Sequence, residues 1–186
     1  LLSLHLSFAQ QYDLRFKTID HKQGLSSKRI SAVLQDSNGI FWMGNRIAVD
    51  RYDGNQTISF TLSRNSNINQ LSEDVHNNIW AATYTGLYVL IKGEKEFKKI
   101  QHPDTQLQRI LDQNVISIAL LEGNIAYLST NSGSTVKLKY DQNGCIVSQS
   151  FKVLSVLEPY TITNMLISPN GSLFLGTSSG MVLEFV

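Results

Sequence analysis

The side chains that most often carry chemistry are scattered along this chain. The four histidines are His5, His21, His76 and His102, and no two of them have the spacing of metal ligands. The single cysteine, Cys145, excludes an internal disulfide and a cysteine-based metal site, and it is expected to be a small strand residue. No nucleophile elbow, phosphate-binding loop or dinucleotide-binding pattern is present. The sequence therefore predicts no catalytic set, no metal and no cofactor.

Side chains suited to binding fall in four short connections of a repeated pattern. They are Arg46, Tyr84, Asn131 and Ser178. An aromatic face combined with guanidinium, amide and hydroxyl groups suits a sugar, which offers apolar C–H faces and many hydroxyl groups. We expect these residues, Tyr84 and Arg46 above all, to contact an oligosaccharide. The alternative is that they lie in solvated loops.

The elements that position these side chains come from an internal repeat. An aromatic residue followed by small residues recurs at spacings of 38, 47 and 47 residues. These aromatic anchors are Trp42, Trp80, Tyr127 and Phe174. Six residues after each anchor the chain has a small residue, namely Ala48, Gly86, Gly133 and Gly180. Such regularity is typical of a structural repeat.

Each copy predicts short antiparallel strands. In the first copy an apolar strand near 30–36 reaches an Asn-Gly turn, and strands at 40–44, near 48–52 and at 57–60 follow. The connections between second and third strands fall at 45–47, 83–85, 130–132 and 177–179. Four-stranded units of this length are typical of β-propeller blades, with the aromatic anchors packed between neighbouring blades.

We therefore predict an all-β chain of four four-stranded blades that belongs to a larger propeller. The predicted ranges are 24–61, 62–101, 102–155 and 156–186, the last blade being incomplete. A lead-in at 12–23 is expected to hold a ring-closing strand at 12–19 whose partner lies in further blades. The alternative is that it pairs with the fourth blade and closes a four-bladed ring. At Gln106–Leu111 we expect at most one helical turn.

The first residues differ from the rest of the chain. Residues 1–9 are apolar, and Ser7 and Ala9 have the spacing of a signal-peptide cleavage site, which predicts the end of a signal peptide and hence export. The alternative is an amphipathic first strand. Since the chain starts without Met and ends within the fourth copy, we also expect it to be a fragment.

Composition excludes two classes of partner. The net charge is +1 and no basic run exceeds Lys98-Lys99, so the sequence does not predict the many phosphate contacts of a nucleic-acid-binding protein. No stretch reaches the roughly 18 apolar residues of a transmembrane helix, so this segment is not expected to be embedded in a membrane.

The first copy resembles the two-component regulator propeller repeat. The stretches that carry the resemblance are Gly24-Leu-Ser-Ser-Lys-Arg-Ile30, Val33-Leu-Gln-Asp36, Gly39-Ile-Phe-Trp42-Met-Gly44 and Asp50-Arg-Tyr-Asp-Gly54. The second copy continues the pattern, and the resemblance extends over about residues 12–186. The later copies depart from it, because Tyr127 and Phe174 replace the tryptophan, and the first copy has Asn45 in place of Thr.

The resemblance implies a periplasmic sensor region of a hybrid two-component histidine kinase anchored in the inner membrane. It also implies a glycan fragment as ligand, control of carbohydrate-utilisation genes and a homodimeric state. Two other classes stay open: a propeller module that binds or scaffolds a protein without signalling, and a segment of a propeller lyase or hydrolase whose catalytic groups lie in other blades.

Overall fold

The computed structural model describes residues 16–63, 65–147, 152–153, 160–168 and 170–185. This part of the chain forms fifteen strands in four antiparallel sheets, with one α-helix and one short 3-10 helix. The all-β prediction is therefore confirmed. The predicted end of a signal peptide lies outside the described residues.

Within each sheet the strands follow one another in chain order, so every connection is a hairpin. The first sheet consists of β1 (Ala32–Gln35), β2 (Phe41–Gly44), β3 (Ala48–Tyr52) and β4 (Thr57–Thr61). The second consists of β5 (Ile68–Glu73), β6 (Ile79–Thr83), β7 (Gly86–Leu90) and β8 (Lys98–Lys99). The third consists of β9 (Val115–Leu121), β10 (Ile125–Thr130), β11 (Thr135–Lys139) and β12 (Lys152–Val153). The fourth has three described strands, β13 (Ile162–Ile167), β14 (Leu173–Thr177) and β15 (Val182–Phe185).

Each sheet lies within one of the four predicted blade ranges, and the blade boundaries themselves stay predictions. Antiparallel strands reverse direction at every hairpin, so each sheet has two distinct ends. We call the end with the turns between first and second strands the turn end. We call the opposite end, where second and third strands are connected, the loop end.

Hydrophobic clusters between neighbouring sheets form the core. Trp42 packs between the first and second sheets, Trp80 between the second and third, and Tyr127 between the third and fourth. Trp80 is fully buried, and its ring centroid lies 5.1 Å from that of Tyr140. Phe174 is only half-buried, because its side of β14 faces away from the third sheet. A sheet therefore buries its faces chiefly against its neighbours, as expected for stacked blades.

The first strands of the four sheets, β1, β5, β9 and β13, lie side by side and join the sheets at their inner edges. A groove of about 230 Å³ runs along them and is lined by residues of all four strands, among them Leu34, Gln70, Ile118 and Leu166. Asn69 Nδ2 donates to the Val115 carbonyl at 2.7 Å and so links two of these strands. This is the arrangement of strands around a propeller axis.

The structure corrects the prediction for Gln106–Leu111. Instead of at most one turn, a seven-residue helix, α1, spans Thr105–Leu111. The Asp104 carboxylate accepts hydrogen bonds from the first backbone N–H groups of α1, which caps the helix. Leu107, Ile110 and Leu111 have helical spacing and are buried against the second and third sheets, so tertiary packing stabilises a helix that is too short to be stable alone.

The predicted ring-closing strand at 12–19 lies partly outside the described residues. Its described part, residues 16–19, forms no strand and pairs with none of the described strands. The chain forms a 3-10 helix at His21–Gln23 instead, in which Asp20 and Gln23 make a reciprocal capping box.

Candidate functional site

The four predicted binding residues occupy equivalent positions at the loop end, one on each sheet. Arg46, Tyr84, Asn131 and Ser178 each lie four residues after an aromatic anchor, and all four are exposed. Tyr84 has 60% of its surface exposed, which is unusual for a large aromatic side chain in a folded domain. The four side chains therefore form a row along the loop end rather than a closed pocket.

Backbone hydrogen bonds fix three of these residues to the inner side of their own sheets. The N–H groups donate to carbonyls just before the first strands, from Tyr84 to Asn67 (2.9 Å), from Asn131 to Asn114 (3.0 Å) and from Ser178 to Thr161 (2.9 Å). Arg46 is held differently, since its Nη2 donates to Asn65 Oδ1 at 3.3 Å. The row is thus attached to the strands that surround the inner groove.

The residue before each member of the row fixes the shape of its connection. Asn45 is fully buried, and its Oδ1 accepts from the backbone N–H groups of Ile47 and Ala48, both at 3.0 Å. Thr83 Oγ1 accepts in the same way from the Thr85 N–H at 3.1 Å. The substitution of Asn for Thr in the first copy therefore preserves the function of that position, which is to cap the connection.

A cluster of hydroxyl groups includes Thr85, the residue after Tyr84, and was not predicted from the sequence. Ser63 Oγ lies 2.8 Å from Tyr88 Oη, and Ser66 Oγ lies 2.7 Å from Thr85 Oγ1. Burial raises the pKa of Tyr88, but the hydrogen bonds with Ser63 and Thr85 outweigh burial and hold the pKa below its ordinary value. The cluster links Thr85 and Tyr88 to Ser63 and Ser66 in the connection between the first and second sheets.

Two cavities between sheets lie at the turn end, away from the predicted row. A cavity of about 490 Å³ opens among the second, third and fourth sheets, and one of about 450 Å³ opens between the first and second. None of the four predicted residues lines either cavity. The four predicted residues therefore lie on an open surface at the loop end, whereas concave sites lie at the turn end.

Two further sequence expectations concern reactive groups. Cys145 is exposed and lies in a turn rather than in a strand, because the chain reverses at Asp141–Cys145. Among the described residues, no three His, Cys, Asp or Glu side chains are grouped so that they could hold a metal ion.

In the same part of the chain no helix has both the length and the apolar character needed to span a bilayer.

Hydrogen bonds that were not predicted from the sequence connect the tryptophan anchors to aspartates in the preceding turns. Trp42 Nε1 donates to Asp36 Oδ2, and Trp80 Nε1 donates to Asp74 Oδ2, both at 2.8 Å. The signal was present in the sequence, because Asp stands six residues before each tryptophan. The corresponding positions of the third and fourth copies, where the anchor has no indole, are Leu121 and Ser168.

Residues 24–46 match the family model of the two component regulator propeller. This range contains β1, β2 and the turn between them, with the Asp36–Trp42 pair. No curated protein is significantly similar to the chain in sequence.

Solved structures share the fold at low sequence identity. The extracellular domain of BT3049 from B. thetaiotaomicron, described as a hybrid two component system, has a TM-score of 0.68 and 19% identity over 91% of this chain and 25% of its own. The extracellular domain of BT4673 from the same organism, described as a one component system, has a TM-score of 0.69 and 16% identity over 90% of this chain and 25% of its own. Virginiamycin B lyase from Staphylococcus aureus has a TM-score of 0.60 and 12% identity over 84% of this chain and 55% of its own.

The chain thus spans about a quarter of the length of the two extracellular domains, and at these identities the likeness shows the fold alone. The propeller prediction is confirmed by this likeness. The predicted resemblance is confirmed for residues 24–46, which match the two component regulator propeller within a run of β-propeller blades.

Proposed function

We propose that the chain is an extracytoplasmic ligand-sensing segment of a two-component regulator. The observation that carries the proposal is the match of residues 24–46 to the two component regulator propeller. The shared fold with extracellular domains of regulatory systems from B. thetaiotaomicron supports it. In this proposal the complete protein is a hybrid histidine kinase, anchored in the inner membrane and dimeric, with this segment in the periplasm.

The ligand of this proposal is a glycan fragment bound across the loop end, and its binding controls carbohydrate-utilisation genes. The exposed ring of Tyr84 can stack on the C–H face of a sugar, and Arg46 can donate hydrogen bonds to its hydroxyl groups. Asn131 and Ser178 add an amide and a hydroxyl group on the next two blades. A row with one contact per blade suits an extended oligosaccharide better than a single sugar unit.

Binding of an oligosaccharide panel to the intact protein, measured by calorimetry, tests the ligand. Tyr84→Ala and Arg46→Ala should each weaken binding by about tenfold, the amount that corresponds to losing about 1.4 kcal/mol. Tyr84→Phe keeps the stacking ring and should bind like the wild type. Lys95→Ala removes an exposed positive charge from the connection between β7 and β8, which lies at the turn end, and serves as the charge control. Wild-type affinity in both alanine variants at the row would contradict the proposed site.

The regulatory part of the proposal has a separate test in the coding sequence that follows Val186. A hydrophobic span and a histidine kinase downstream would support a membrane-anchored sensor. A stop codon directly after Val186 would contradict the signalling role and leave a binding module. Light scattering of the intact protein then distinguishes a dimer from a monomer.

A further inference from the structure

The cavity of about 490 Å³ at the turn end has an unusual combination of groups. The ends of β5, β9 and β13 and the turns that follow them form its walls, and Tyr140 reaches it from the end of β11. It lies at the opposite end of the sheets from Tyr84 and Arg46. A ligand bound here is therefore independent of the proposed glycan row.

The cavity is acidic, and none of the described residues that line it is basic. Glu73, Asp74 and Glu122 contribute three carboxylates to its wall. Glu73 accepts hydrogen bonds from the neutral groups of Ser37 and Asn77. Among the described residues no ion pair involves any of the three carboxylates. Their charges thus add up across the cavity without a cation to balance them, which makes it attractive to positive ligands.

The Asp74 carboxylate accepts four hydrogen bonds, and none of them comes from a cation. Its Oδ1 accepts from the backbone N–H groups of His76 and Asn78, both at 2.9 Å. Its Oδ2 accepts from Asn78 Nδ2 at 3.0 Å and from Trp80 Nε1 at 2.8 Å. All four donors are neutral, so the carboxylate is satisfied in hydrogen bonding without a positively charged partner.

Tyr140 supplies a second, independent observation. Only 2% of its surface is exposed, and its hydroxyl group has no hydrogen-bond partner in the described part of the chain although it is buried. Burial, together with the charge of Asp74, raises the pKa of Tyr140 to about 12, so the phenol stays neutral. A buried hydroxyl without a partner costs free energy, and a ligand that bonds to it removes this cost.

These groups define what a ligand must offer. Carboxylates only accept hydrogen bonds, and the phenol oxygen of Tyr140 can accept one as well. An ammonium group has three donors, carries the missing positive charge and has no acceptor of its own. Val75, which is 57% exposed, and Leu121 provide apolar surface for a short carbon chain.

We propose that this turn-end cavity binds a small organic cation through a primary ammonium group held by Tyr140, Glu73 and Glu122. A neutral alcohol of the same size forms hydrogen bonds but leaves the carboxylate charges unbalanced. The site should therefore prefer the amine, and the preference should fall as salt is added.

Titration of the intact protein with n-butylamine and with n-butanol, followed by NMR, tests this proposal. The amine should bind at least tenfold more tightly than the alcohol at low ionic strength. Tyr140→Phe keeps the ring that packs on Trp80 and removes only the hydroxyl group, and Glu122→Gln removes one exposed charge. Each should weaken amine binding by about fivefold or more. Glu96→Gln, an exposed carboxylate that does not line the cavity, should leave binding unchanged.

Equal binding of amine and alcohol, no binding of the amine, or wild-type binding in both cavity variants would overturn the proposal. Thermal unfolding keeps the test interpretable, because Tyr140→Phe removes an unpaired buried hydroxyl and should not lower the melting temperature. Amine binding that persists in Tyr84→Ala separates this cavity from the glycan row, so the two proposals can fail independently.

Discussion

At the scale of single residues, Asp36 and Asp74 connect a hairpin turn to the aromatic anchor that follows it. One carboxylate oxygen of each aspartate closes the turn by accepting two backbone N–H groups. The other oxygen fixes the indole of Trp42 or Trp80. The orientation of the anchor between two sheets is thereby set by a local hydrogen bond as well as by packing.

We predict strong coupling between Asp74 and Trp80 in a double-mutant cycle. Trp80→Phe alone leaves a lone pair of Asp74 unpaired, and Asp74→Ala alone leaves buried N–H groups without an acceptor. The interaction free energy should be about 1.5–3 kcal/mol, the range for hydrogen bonds to charged groups. Urea unfolding of the wild type, both single variants and the double variant measures it.

Asp141 is the control for this cycle. Its Oδ1 also closes a turn, by accepting from the Asn143 and Cys145 N–H groups, but it bonds to no indole. Asp141→Ala combined with Trp80→Phe should therefore give nearly additive changes in the free energy of unfolding. Additivity in the Asp74 cycle as well would show that packing alone orients the anchor.

Lys99 and Asp112 predict a small acid-dependent contribution to stability. Lys99 Nζ lies 2.6 Å from Asp112 Oδ1. Burial raises the pKa of Asp112, but the hydrogen bond and charge of Lys99 outweigh burial and hold the pKa below its ordinary value of 3.8. Because the folded-state pKa is depressed, the contribution is complete above the unfolded-state pKa and is lost as the pH falls through the folded-state value.

We expect Asp112→Asn to lower the free energy of unfolding at pH 7 by less than about 1 kcal/mol, since the side chains of the pair are partly exposed to solvent. The difference from the wild type should disappear at pH values below the folded-state pKa. Urea unfolding between pH 2 and 7 measures both quantities. A difference that persists in acid would instead indicate that Asp112 acts through its cap position at the end of α1.

At the scale of elements, α1 crowds the start of β7. The backbone at Gly86 has φ 123°, and a Cβ built there would lie 2.5 Å from the Leu111 carbonyl oxygen and 2.8 Å from Lys99 Cε. Gly133 also follows its anchor by six residues, but it lies in the turn before β11 with φ 87°, and the nearest atom to its ideal Cβ is Thr161 Oγ1 at 3.8 Å. Gly86 is therefore crowded by the helix, whereas Gly133 has room for a Cβ.

We predict that Gly86→Ala destabilises the protein more than Gly133→Ala does. Both substitutions place a side chain at positive φ, so they share a backbone cost, and Gly86→Ala adds overpacking worth about 1–3 kcal/mol. Chemical denaturation of the two variants gives the difference. Equal destabilisation would mean that α1 shifts away from β7 at no cost.

The sequence predicted elements well where local chemistry determines them. The strands of the first copy were expected at 40–44, 48–52 and 57–60, and they are observed at Phe41–Gly44, Ala48–Tyr52 and Thr57–Thr61. It failed for α1, whose stability comes from packing on two sheets. It also could not place the acidic cavity, because Glu73, Glu122 and Tyr140 come together only when three sheets are stacked.

At the scale of the whole molecule, a chain of hydrogen bonds crosses three blades near the axis. Ser117 Oγ donates to Gln70 Oε1 of the second sheet at 2.6 Å and accepts from the Met165 N–H of the fourth sheet at 3.0 Å. Gln70 Oε1 also accepts from the Ile118 N–H at 2.9 Å. One buried serine on the third sheet thus connects both of its neighbours, which couples blades that otherwise meet through apolar packing.

We predict that Ser117→Ala loosens the fourth blade without affecting the first. The substitution leaves the Met165 N–H without this acceptor, at a cost of about 1–3 kcal/mol, and in a repeat array that cost falls on adjacent interfaces. Ser129 is the matched control, since it pairs directly with Ser117 across the sheet and is equally buried, but its hydroxyl has no partner among the described residues. Hydrogen exchange should accelerate in β13 and β14 of the Ser117→Ala variant, while β2 and β3 exchange as in the wild type. Ser129→Ala should be neutral or slightly stabilising, and uniform acceleration across all four sheets in Ser117→Ala would show instead that the blades unfold as one unit.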